Sequence, residues 1–473
     1  MSGTNRRLAA CASLVLALAA FNLFFRLDRE FLTEWDSSLY ATSAAEMVAS
    51  DRWIATTSNG TLDYYNSKPP LNVWLIALAI KVFGPSLVAL RLPAAASAWL
   101  TVAIVLLWGW RRIGPAVGVV SAFVLATSFG FIYVHSGRAA EPDAPMTLLL
   151  LLVVIILDAG TQRPWLRAWL GPILAAVFML KGTAAAMPLL LIVLIEVSRP
   201  VTLHHRWWPL GVAAAGALLP IGLWATARWQ VDGSRFFDQM FFQDFVRRVA
   251  SPLEGHDGTP FFYLDELQKN HYDWLLAAAA AAVLVPGAVW REWLDAIRRR
   301  SEPVFVMLAW SAITLIIPTL MATKLPWYLN PIYPVFAVGC GFLIVRALSL
   351  PTVSQSQRRL ALVVIVAAAA VAQGKLVWYS YHMRALEQTA QAILLAERAS
   401  LAGERVFRER WDHADTFVAR TIVGAEPAHA SGIGHFLRVS RPGDYLVAAP
   451  GLESLELRRV GAVGAYALYR RPE

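Results

Sequence analysis

Two aspartates stand in polar turns that interrupt an otherwise apolar sequence. Asp36 lies in "TEWDSSLYATSAAEM", after the first apolar run, and Asp143 lies in "YVHSGRAAEPDAPM", between two apolar runs. A carboxylate at the edge of an apolar segment is partly shielded from water, where it can act as a general base toward a hydroxyl group. Two simpler roles compete with this chemistry: a solvated loop acid and, for Asp143, the N-cap of a helix, since Asp is a favoured cap.

Three lysines occupy comparable turns. Lys68 stands in "YYNSKPPL", Lys181 in "FMLKGTAAAMP" and Lys324 in "MATKLPWYLNPIYP". A single lysine at the end of an apolar segment usually extends its ammonium group to the membrane surface. Several such lysines, with other basic side chains in neighbouring turns, predict a site for an anionic ligand such as a phosphate. The other basic residues available to this site are Arg138, Arg247, Arg248 and His256.

The composition is that of a membrane protein. Of the 473 residues, 57% are hydrophobic and 16% are charged, and the mean hydropathy is +0.50. Soluble domains have about 45–50% apolar and about 25% charged residues. The net charge of +9 comes without a basic face for nucleic acid, so we predict no nucleic-acid partner. Cys11 and Cys340 both lie in apolar segments, and the "EGHD" spacing is not diagnostic of a metal site, so no metal or other cofactor is predicted.

Apolar runs predict a polytopic α-helical protein with about eleven membrane spans. The thirteen-residue segment "LNVWLIALAIKVF" reaches only about 20 Å as a helix, so we place it along the membrane surface. The basic loops near 111, 163, 199, 291 and 358 then share the side of the N-terminus, which the positive-inside rule makes cytoplasmic. The predicted spans are 8–25, 91–110, 115–134, 144–158, 165–181, 184–198, 208–229, 273–290, 303–321, 327–348 and 360–381.

We therefore predict a multi-pass protein of two domains in the cytoplasmic (inner) membrane. Residues 1–383 form the membrane domain, with a first outer loop at about 26–90. Residues 384–473 form a small extracytoplasmic α/β domain, in which "RALEQTAQAILLAERASL" is helical. Alternation of apolar and polar residues in "TFVART", "GDYLVAAPG" and "AYALYRR" predicts short strands. On this topology the two aspartates and the three lysines all face outward.

The order and spacing of several motifs add a family resemblance. These are "WDSSLYATSAAEMVASDRWIATTSNGTLDYYNSKPPLNVWLIALAIKVFG", "EPDAPM", "LKGTAAAMPLLL", "GTPFFYL" and "KLPWYLNPIYP". In them the chain resembles the C-type membrane glycosyltransferases that use polyprenyl-phosphate sugars, particularly the branch of the lipid A aminoarabinose transferases. The protein O-mannosyltransferases are more distant relatives.

The resemblance implies roles for individual residues. Asp36 matches the first-loop aspartate that activates the acceptor, Asp143 the second outer aspartate, and Lys68 a lysine near the lipid phosphate. The chain departs from the family pattern at Ser37, Leu39 and Ser67, so the resemblance does not imply aminoarabinose itself as the sugar. The residues assigned to the substrate are Tyr40, Glu46, Tyr65, His256 and Tyr328.

The function expected from these observations is transfer of a sugar from a polyprenyl-phosphate donor to a lipid or glycan acceptor, such as lipid A or its core. The transfer inverts the anomeric carbon and takes place at the outer face of the membrane. The alternatives are a flippase for polyprenyl-linked lipids, a protein O-glycosyltransferase, and a surface protein with an inactive site. A flippase would place ionisable groups near the middle of the membrane, whereas the predicted spans are nearly free of charge.

Overall fold

A computed structural model describes residues 3–198, 207–298, 304–452 and 456–472. The predicted basic loop near 199 and the end of the loop near 291 lie outside the described residues. In chain order the α-helices are α1 (Gly3–Phe24), α2 (Asp36–Ser50), α3 (Leu71–Phe83), α4 (Leu87–Arg112), α5 (Pro115–Ala126), α6 (Phe129–Tyr133), α7 (Asp143–Ala159), α8 (Leu170–Lys181), α9 (Ala186–Val197), α10 (Trp208–Asp232), α11 (Arg235–Asp238), α12 (Arg247–Ala250), α13 (Phe262–Leu284), α14 (Gly287–Arg298), α15 (Val304–Leu320), α16 (Tyr333–Ser349), α17 (Gln355–His382), α18 (Ala390–Ala396), α19 (Arg398–Leu401), α20 (His413–Phe417) and α21 (Ile433–Val439).

Shorter segments complete the description. The 3-10 helices are Pro164–Trp169, Gly182–Ala185, Pro326–Ile332 and Leu386–Gln388, and the π-helical segments are Gln239–Val246 and Val418–Val423. The strands are β1 (Thr57–Ser58), β2 (Thr61–Leu62), β3 (Arg405–Arg408), β4 (Glu426–His429), β5 (Tyr445–Ala448), β6 (Arg458–Val463) and β7 (Tyr466–Arg470).

Many of the helices are apolar. Within the described residues, six are long and apolar enough to cross a membrane, or seven if Phe262–Leu284 and Val289–Arg298 form one bent span. The chain is therefore a polytopic helical membrane protein, whereas the count of eleven spans stays a prediction. The segment predicted to lie along the membrane surface is helix α3. The six long helices are Arg6–Phe24, Leu87–Arg112, Pro164–Val197, Trp208–Asp232, Pro326–Ser349 and Gln355–His382.

The chain divides into two compact units. The first unit consists of Met1–Phe25, Tyr64–Asn72 and Ala94–Leu376, and the second of Arg26–Asp63, Val73–Pro93 and Val377–Glu473. The first outer loop and the tail, which are distant in sequence, thus contribute to the same unit.

In the first unit, small residues let helices approach closely. A methyl group on Gly341 of α16 would lie 2.7 Å from the backbone nitrogen of Ser121 in α5. A methyl group on Gly171 of α8 would lie 2.0 Å from the carbonyl oxygen of Ala213 in α10. Such contacts are typical of membrane helices, in which packing rather than water exclusion holds the bundle together.

A charged pair lies within the helices of the first unit. Helix α13 is kinked at His271, whose φ of −135° is not helical. There Lys375 of α17 donates to the Asn270 carbonyl at 3.0 Å and pairs with Asp273 at 3.1 Å. Because the lysine satisfies both a carboxylate and a carbonyl that the kink releases, its contacts are structural.

The second unit contains a mixed sheet. Its strand order is β4-β3-β5-β7-β6, with β3 parallel to both β4 and β5 and the other pairs antiparallel. The helices of the tail accompany this sheet, and its core includes Phe407, Phe436, Leu446 and Tyr469.

One predicted strand of the tail is wrong. The segment "TFVART" is helical, at the end of α20 and in the π-helical turn that follows. Asp412 caps α20 by accepting the Asp415 N–H at 2.7 Å, and the helix then starts at His413, three residues before the segment. Phe417, Val418 and Ala419 are all buried. Three consecutive buried residues do not fit a strand with one solvated face.

Candidate active site

The centre of the site in the first unit is a buried ion pair. Asp143 is 2% exposed, and its Oδ1 accepts from Lys181 Nζ at 2.7 Å. Pro142 occupies the N-cap position of α7, so Asp143 is the first helical residue and not the cap. Lys181 ends α8, where Gly182 adopts a φ of 52° that turns the chain. A methyl group on Gly182 would lie 3.5 Å from Cδ of Pro69, which brings the Lys68–Pro69 segment to this turn.

His135 and Glu141 lie beside this pair. The imidazole Nδ1 of His135 contacts the carboxylate of Glu141, which is 4% exposed. The His135 ring stacks on Trp327 with 3.6 Å between ring centroids. Its backbone has a φ of 49°, a left-handed conformation that is uncommon outside glycine. The sequence does not single out His135 as a functional residue. Its only distinguishing feature there is its place in the turn that carries "EPD".

Tyr328 joins the cationic side chains of the site. Lys181 Nζ lies 5.5 Å from the centre of the Tyr328 ring. The phenol group also interacts electrostatically with Arg248, Lys68 and Asp143. Arg248 donates from Nε to Asp244 at 2.6 Å. Burial lowers the pKa of this guanidinium, but the negative groups Asp244, Tyr328 and Glu254 together raise that pKa above its ordinary value, so Arg248 is a fixed cation.

We name these residues the Asp143 cluster. It gathers three cationic side chains, one phenol, one imidazole and two carboxylates from five segments of the first unit. Its members are Lys68, His135, Glu141, Asp143, Lys181, Arg248 and Tyr328.

Two predicted phosphate ligands have contacts elsewhere. Arg138 is buried and donates to the carbonyls of Asn22 at 2.8 Å and Phe25 at 2.9 Å, at the C-terminal end of α1. Lys324 donates to the carbonyls of Pro318, Thr319 and Met321 at the end of α15.

Both residues therefore stabilise helix C-termini, where the carbonyl groups carry partial negative charge. Burial also lowers the pKa of the Lys324 ammonium. We retain neither residue in the phosphate site.

Three further predicted residues lie in loops or at a helix start of the first unit. Arg247 is exposed and donates to Gln243 at 2.5 Å. Tyr65 is exposed, and its hydroxyl donates to Glu254 at 3.4 Å. His256 Nε2 lies 3.9 Å from the same Glu254 carboxylate. Arg247 thus contacts its own helical segment, and Tyr65 and His256 both contact Glu254.

Backbone hydrogen bonds fix helix α12, which carries Arg248, and the loop that follows it. The N–H groups of Thr323 and Lys324 donate to the carbonyls of Arg248 and His256, at 3.0 and 2.9 Å. This pairing ties the loop to the turn that leads into Tyr328, so the guanidinium and the phenol are positioned by one local structure.

The remaining predicted residues belong to the second unit. Asp36 is the first residue of α2 and is half-buried. Tyr40, one turn later, is buried. Glu46 accepts from the Thr57 hydroxyl at 2.6 Å and from the Gly60 N–H at 3.3 Å. Glu46 therefore holds the β1–β2 hairpin against α2.

The Asp143 cluster also contains a group that could bind a metal. One ligand atom each from His135, Glu141 and Asp143 lies within 4.8 Å of the others. One imidazole and two carboxylates suit a zinc-like cation. However, both carboxylates already have cationic or imidazole partners in this arrangement, so a metal would have to displace Lys181 from Asp143. The spacing of these three residues matches no metal-site motif, because they lie in an irregular turn.

Comparison with protein families supports a relationship to glycosyltransferases. The family model described as dolichyl-phosphate-mannose-protein mannosyltransferase matches residues 67–224, a range that includes Lys68, Asp143 and Lys181.

Two curated relatives are arabinosyl transferases. An undecaprenyl phosphate-alpha-4-amino-4-deoxy-L-arabinose arabinosyl transferase of Pseudomonas fluorescens is 31% identical over 70% of this chain and 55% of its own length. Its counterpart in Pseudomonas aeruginosa is 31% identical over 71% of this chain and 60% of its own length. The chain thus spans little more than half the length of these relatives.

Solved structures show the same fold. ArnT from Cupriavidus metallidurans in the apo state has a TM-score of 0.69 and 15% identity, over 99% of this chain and 98% of that one. The structure of the same protein bound to undecaprenyl phosphate has a TM-score of 0.67 and 16% identity, over 97% of each chain. The chain therefore resembles the C-type membrane glycosyltransferases, particularly the aminoarabinose arabinosyl transferases, in sequence and in fold.

Proposed function

We propose that the chain is a glycosyltransferase that moves a sugar from a polyprenyl-phosphate donor to a lipid or glycan acceptor, such as lipid A or its core, at the outer face of the inner membrane. The curated relatives are named for undecaprenyl phosphate-linked 4-amino-4-deoxy-L-arabinose, which makes this compound the first donor to test. The observation that carries the proposal is the Asp143 cluster. It places Lys68, Lys181 and Arg248 around the phenol of Tyr328. The mannosyltransferase family model matches the range that contains Lys68 and Lys181.

The charge of the cluster suits the leaving group. A polyprenyl-phosphate sugar carries one negative charge on its phosphodiester, and the released polyprenyl phosphate carries close to two. Cations that are already in place stabilise the charge that develops in the transition state, which is usually the largest contribution to such catalysis. We assign this role to Lys68 and Arg248, and to Lys181 shared with Asp143.

The proposed reaction is a single displacement at the anomeric carbon. Asp36 takes the proton of the acceptor hydroxyl, and the hydroxyl oxygen forms a bond to the anomeric carbon. The bond from that carbon to the phosphate oxygen breaks at the same time, and polyprenyl phosphate leaves with the bonding electron pair. A single displacement inverts the anomeric carbon. The role of Asp36 rests on its place in the first-loop motif and on its half-buried position at the start of α2.

Donor kinetics test the role of Lys68. We expect Lys68→Ala to raise the KM for the polyprenyl-phosphate donor about ten- to a hundredfold, because one lost charge-assisted contact costs about 1.5–3 kcal/mol. The KM for the acceptor should change little. Lys81→Ala is the matched control, since Lys81 lies in the last turn of α3, 5.3 Å from the centre of the Trp53 ring. An unchanged donor KM in Lys68→Ala would mean that this lysine only extends to the membrane surface.

Cysteine labelling tests the outer location. In a background without Cys11 and Cys340, we expect Asp257→Cys and Glu409→Cys to react with a membrane-impermeant thiol reagent in intact spheroplasts. His205→Cys, in the loop predicted to be cytoplasmic, should react only after the cells are lysed. Reaction at position 205 in intact cells, with protection at 257 and 409, would reverse the topology and contradict the proposed location.

A further inference from the structure

Trp35, the residue before Asp36, has a backbone conformation that does not suit it. Its φ is 67° and its ψ is −124°, close to the first central position of a type II′ turn, where glycine is the usual residue. A side chain with a Cβ is strained in this conformation, and strained residues concentrate at functional sites. The tryptophan at this position therefore carries a cost in backbone conformational energy.

Burial of the Trp35 ring does not offset this cost. Its side chain is 56% exposed, although burial of a large aromatic ring is what normally offsets such a cost. Trp35 directly precedes Asp36, whose carboxylate we propose as the base toward the acceptor. A large exposed ring that is held in a strained position next to a reactive group points to a ligand.

The tail of the second unit supplies a second ring. His413 is exposed, and its ring centre lies 6.2 Å from that of Trp35 with an angle of 52° between the ring planes. His413 is the first residue of α20, whose start is fixed by the Asp412 cap. Helix α20 packs on α2, so the histidine is presented beside Trp35 by two helices that contact each other.

We propose that Trp35 and His413 form the subsite for a sugar ring of the acceptor. The flat apolar surface of an indole matches the C–H face of a pyranose, and the imidazole can exchange a hydrogen bond with a hydroxyl at the edge of that ring. The subsite orients an acceptor hydroxyl toward Asp36. This inference rests on the proposed function and adds to it that the acceptor carries a pyranose at the point of transfer.

Substitution of Trp35 by glycine separates this role from a structural one. Glycine relieves the backbone strain, so Trp35→Gly should keep or raise the melting temperature of the purified full-length chain. The same change should raise the Kd and the KM for the acceptor at least about tenfold, as expected for the loss of a central aromatic contact. The KM of Trp35→Gly for the donor should stay as in the wild type. Trp35→Phe should keep most of the affinity for the acceptor, and His413→Ala should lower that affinity several-fold.

A matched control is available in the same unit. Trp378 is 53% exposed and stacks on His382 with 5.3 Å between ring centres, but it lies within the ordinary helix α17. Trp378→Ala should leave acceptor binding unchanged. The control addresses the main competing role of an exposed tryptophan, which is an anchor at the membrane surface.

The measurement is binding of a lipid A precursor with a glucosamine disaccharide headgroup to the protein in nanodiscs without donor, followed by transfer kinetics. Weaker acceptor binding in Trp35→Gly with unchanged stability supports the subsite, even if the wild type transfers no sugar and the proposed function fails. A wild type that transfers sugar while Trp35→Gly keeps its acceptor Kd and KM overturns the subsite and leaves the proposed function intact. A wild type that does not bind the glucosamine disaccharide lipid also overturns it.

Discussion

Asp36→Asn should lower the rate of sugar transfer by at least about a hundredfold, within the range of about 10²–10⁴ that a general base contributes. Asparagine keeps the size of the side chain and much of its hydrogen bonding, but it cannot accept a proton at neutral pH. The measurement is the steady-state transfer rate of the purified protein, normalised to the amount that is folded and binds donor.

Asp51→Asn is the control for this experiment. Asp51 stands at the other end of α2, where it accepts a hydrogen bond from the Trp53 indole at 2.7 Å. The variant Asp51→Asn should keep the wild-type rate of sugar transfer. If Asp36→Asn retains more than about a tenth of the activity, Asp36 is not the base, and Asp143 or Glu141 becomes the candidate.

Asp143→Asn should be the second severe substitution. It leaves the Lys181 ammonium without its carboxylate in a buried place, and breaking a buried ion pair typically costs about 3–5 kcal/mol of stability. We expect a lower melting temperature together with a rate loss of at least about a hundredfold per folded molecule. Lys181→Met should be similar, because Asp143 is then the unpaired charge.

The double variant Asp143→Asn with Lys181→Met distinguishes a catalytic pair from a structural one. Removing both charges should restore much of the stability, but the activity should stay low because the donor phosphate has lost Lys181 and its orienting partner. Recovery of the wild-type rate would contradict a functional role for the pair. Asp158→Asn is the control on the same helix, since it breaks the pair between the buried Asp158 and the partly exposed Arg112 and should cost stability without lowering the rate per folded molecule.

The sequence predicted the local features of the fold better than the pairing of distant residues. Helix α3 coincides with the segment placed on the membrane surface, and the break between α8 and α9 falls at the predicted Lys181 turn. Apolar length and a glycine turn are local signals, which a single sequence carries in full. The pairing of Lys181 with Asp143 joins residues 38 positions apart, and only tertiary structure brings them together.

The sequence alone does not distinguish a lysine that binds a phosphate from one that stabilises a helix end. Lys68, Lys181 and Lys324 all stand in turns after or before apolar segments, so their sequence context is alike. The carbonyl groups that end a helix attract the same cations that would bind a phosphate. In the structure Lys324 turns back toward such carbonyls and Lys181 turns toward a carboxylate, a difference that depends on side-chain direction.

The contacts of His135 are likewise not predictable from the sequence. It contacts Glu141 across an irregular turn and stacks on Trp327, which is far away in the chain. Neither relation has the regular spacing of a helix or strand, on which motif recognition depends. Its left-handed backbone conformation, which aims the ring, also has no signal in a single sequence.

The most direct test of the proposed function is sugar transfer by the purified chain in proteoliposomes. The donor is radiolabelled undecaprenyl phosphate-4-amino-4-deoxy-L-arabinose, with other undecaprenyl-phosphate sugars in parallel, and the acceptor is the lipid A precursor. We predict that label moves from the polyprenyl carrier to the acceptor with wild-type protein and not with Asp36→Asn. Movement of labelled carrier lipid between the leaflets, with no label transferred from any donor, would contradict a glycosyltransferase and indicate a flippase.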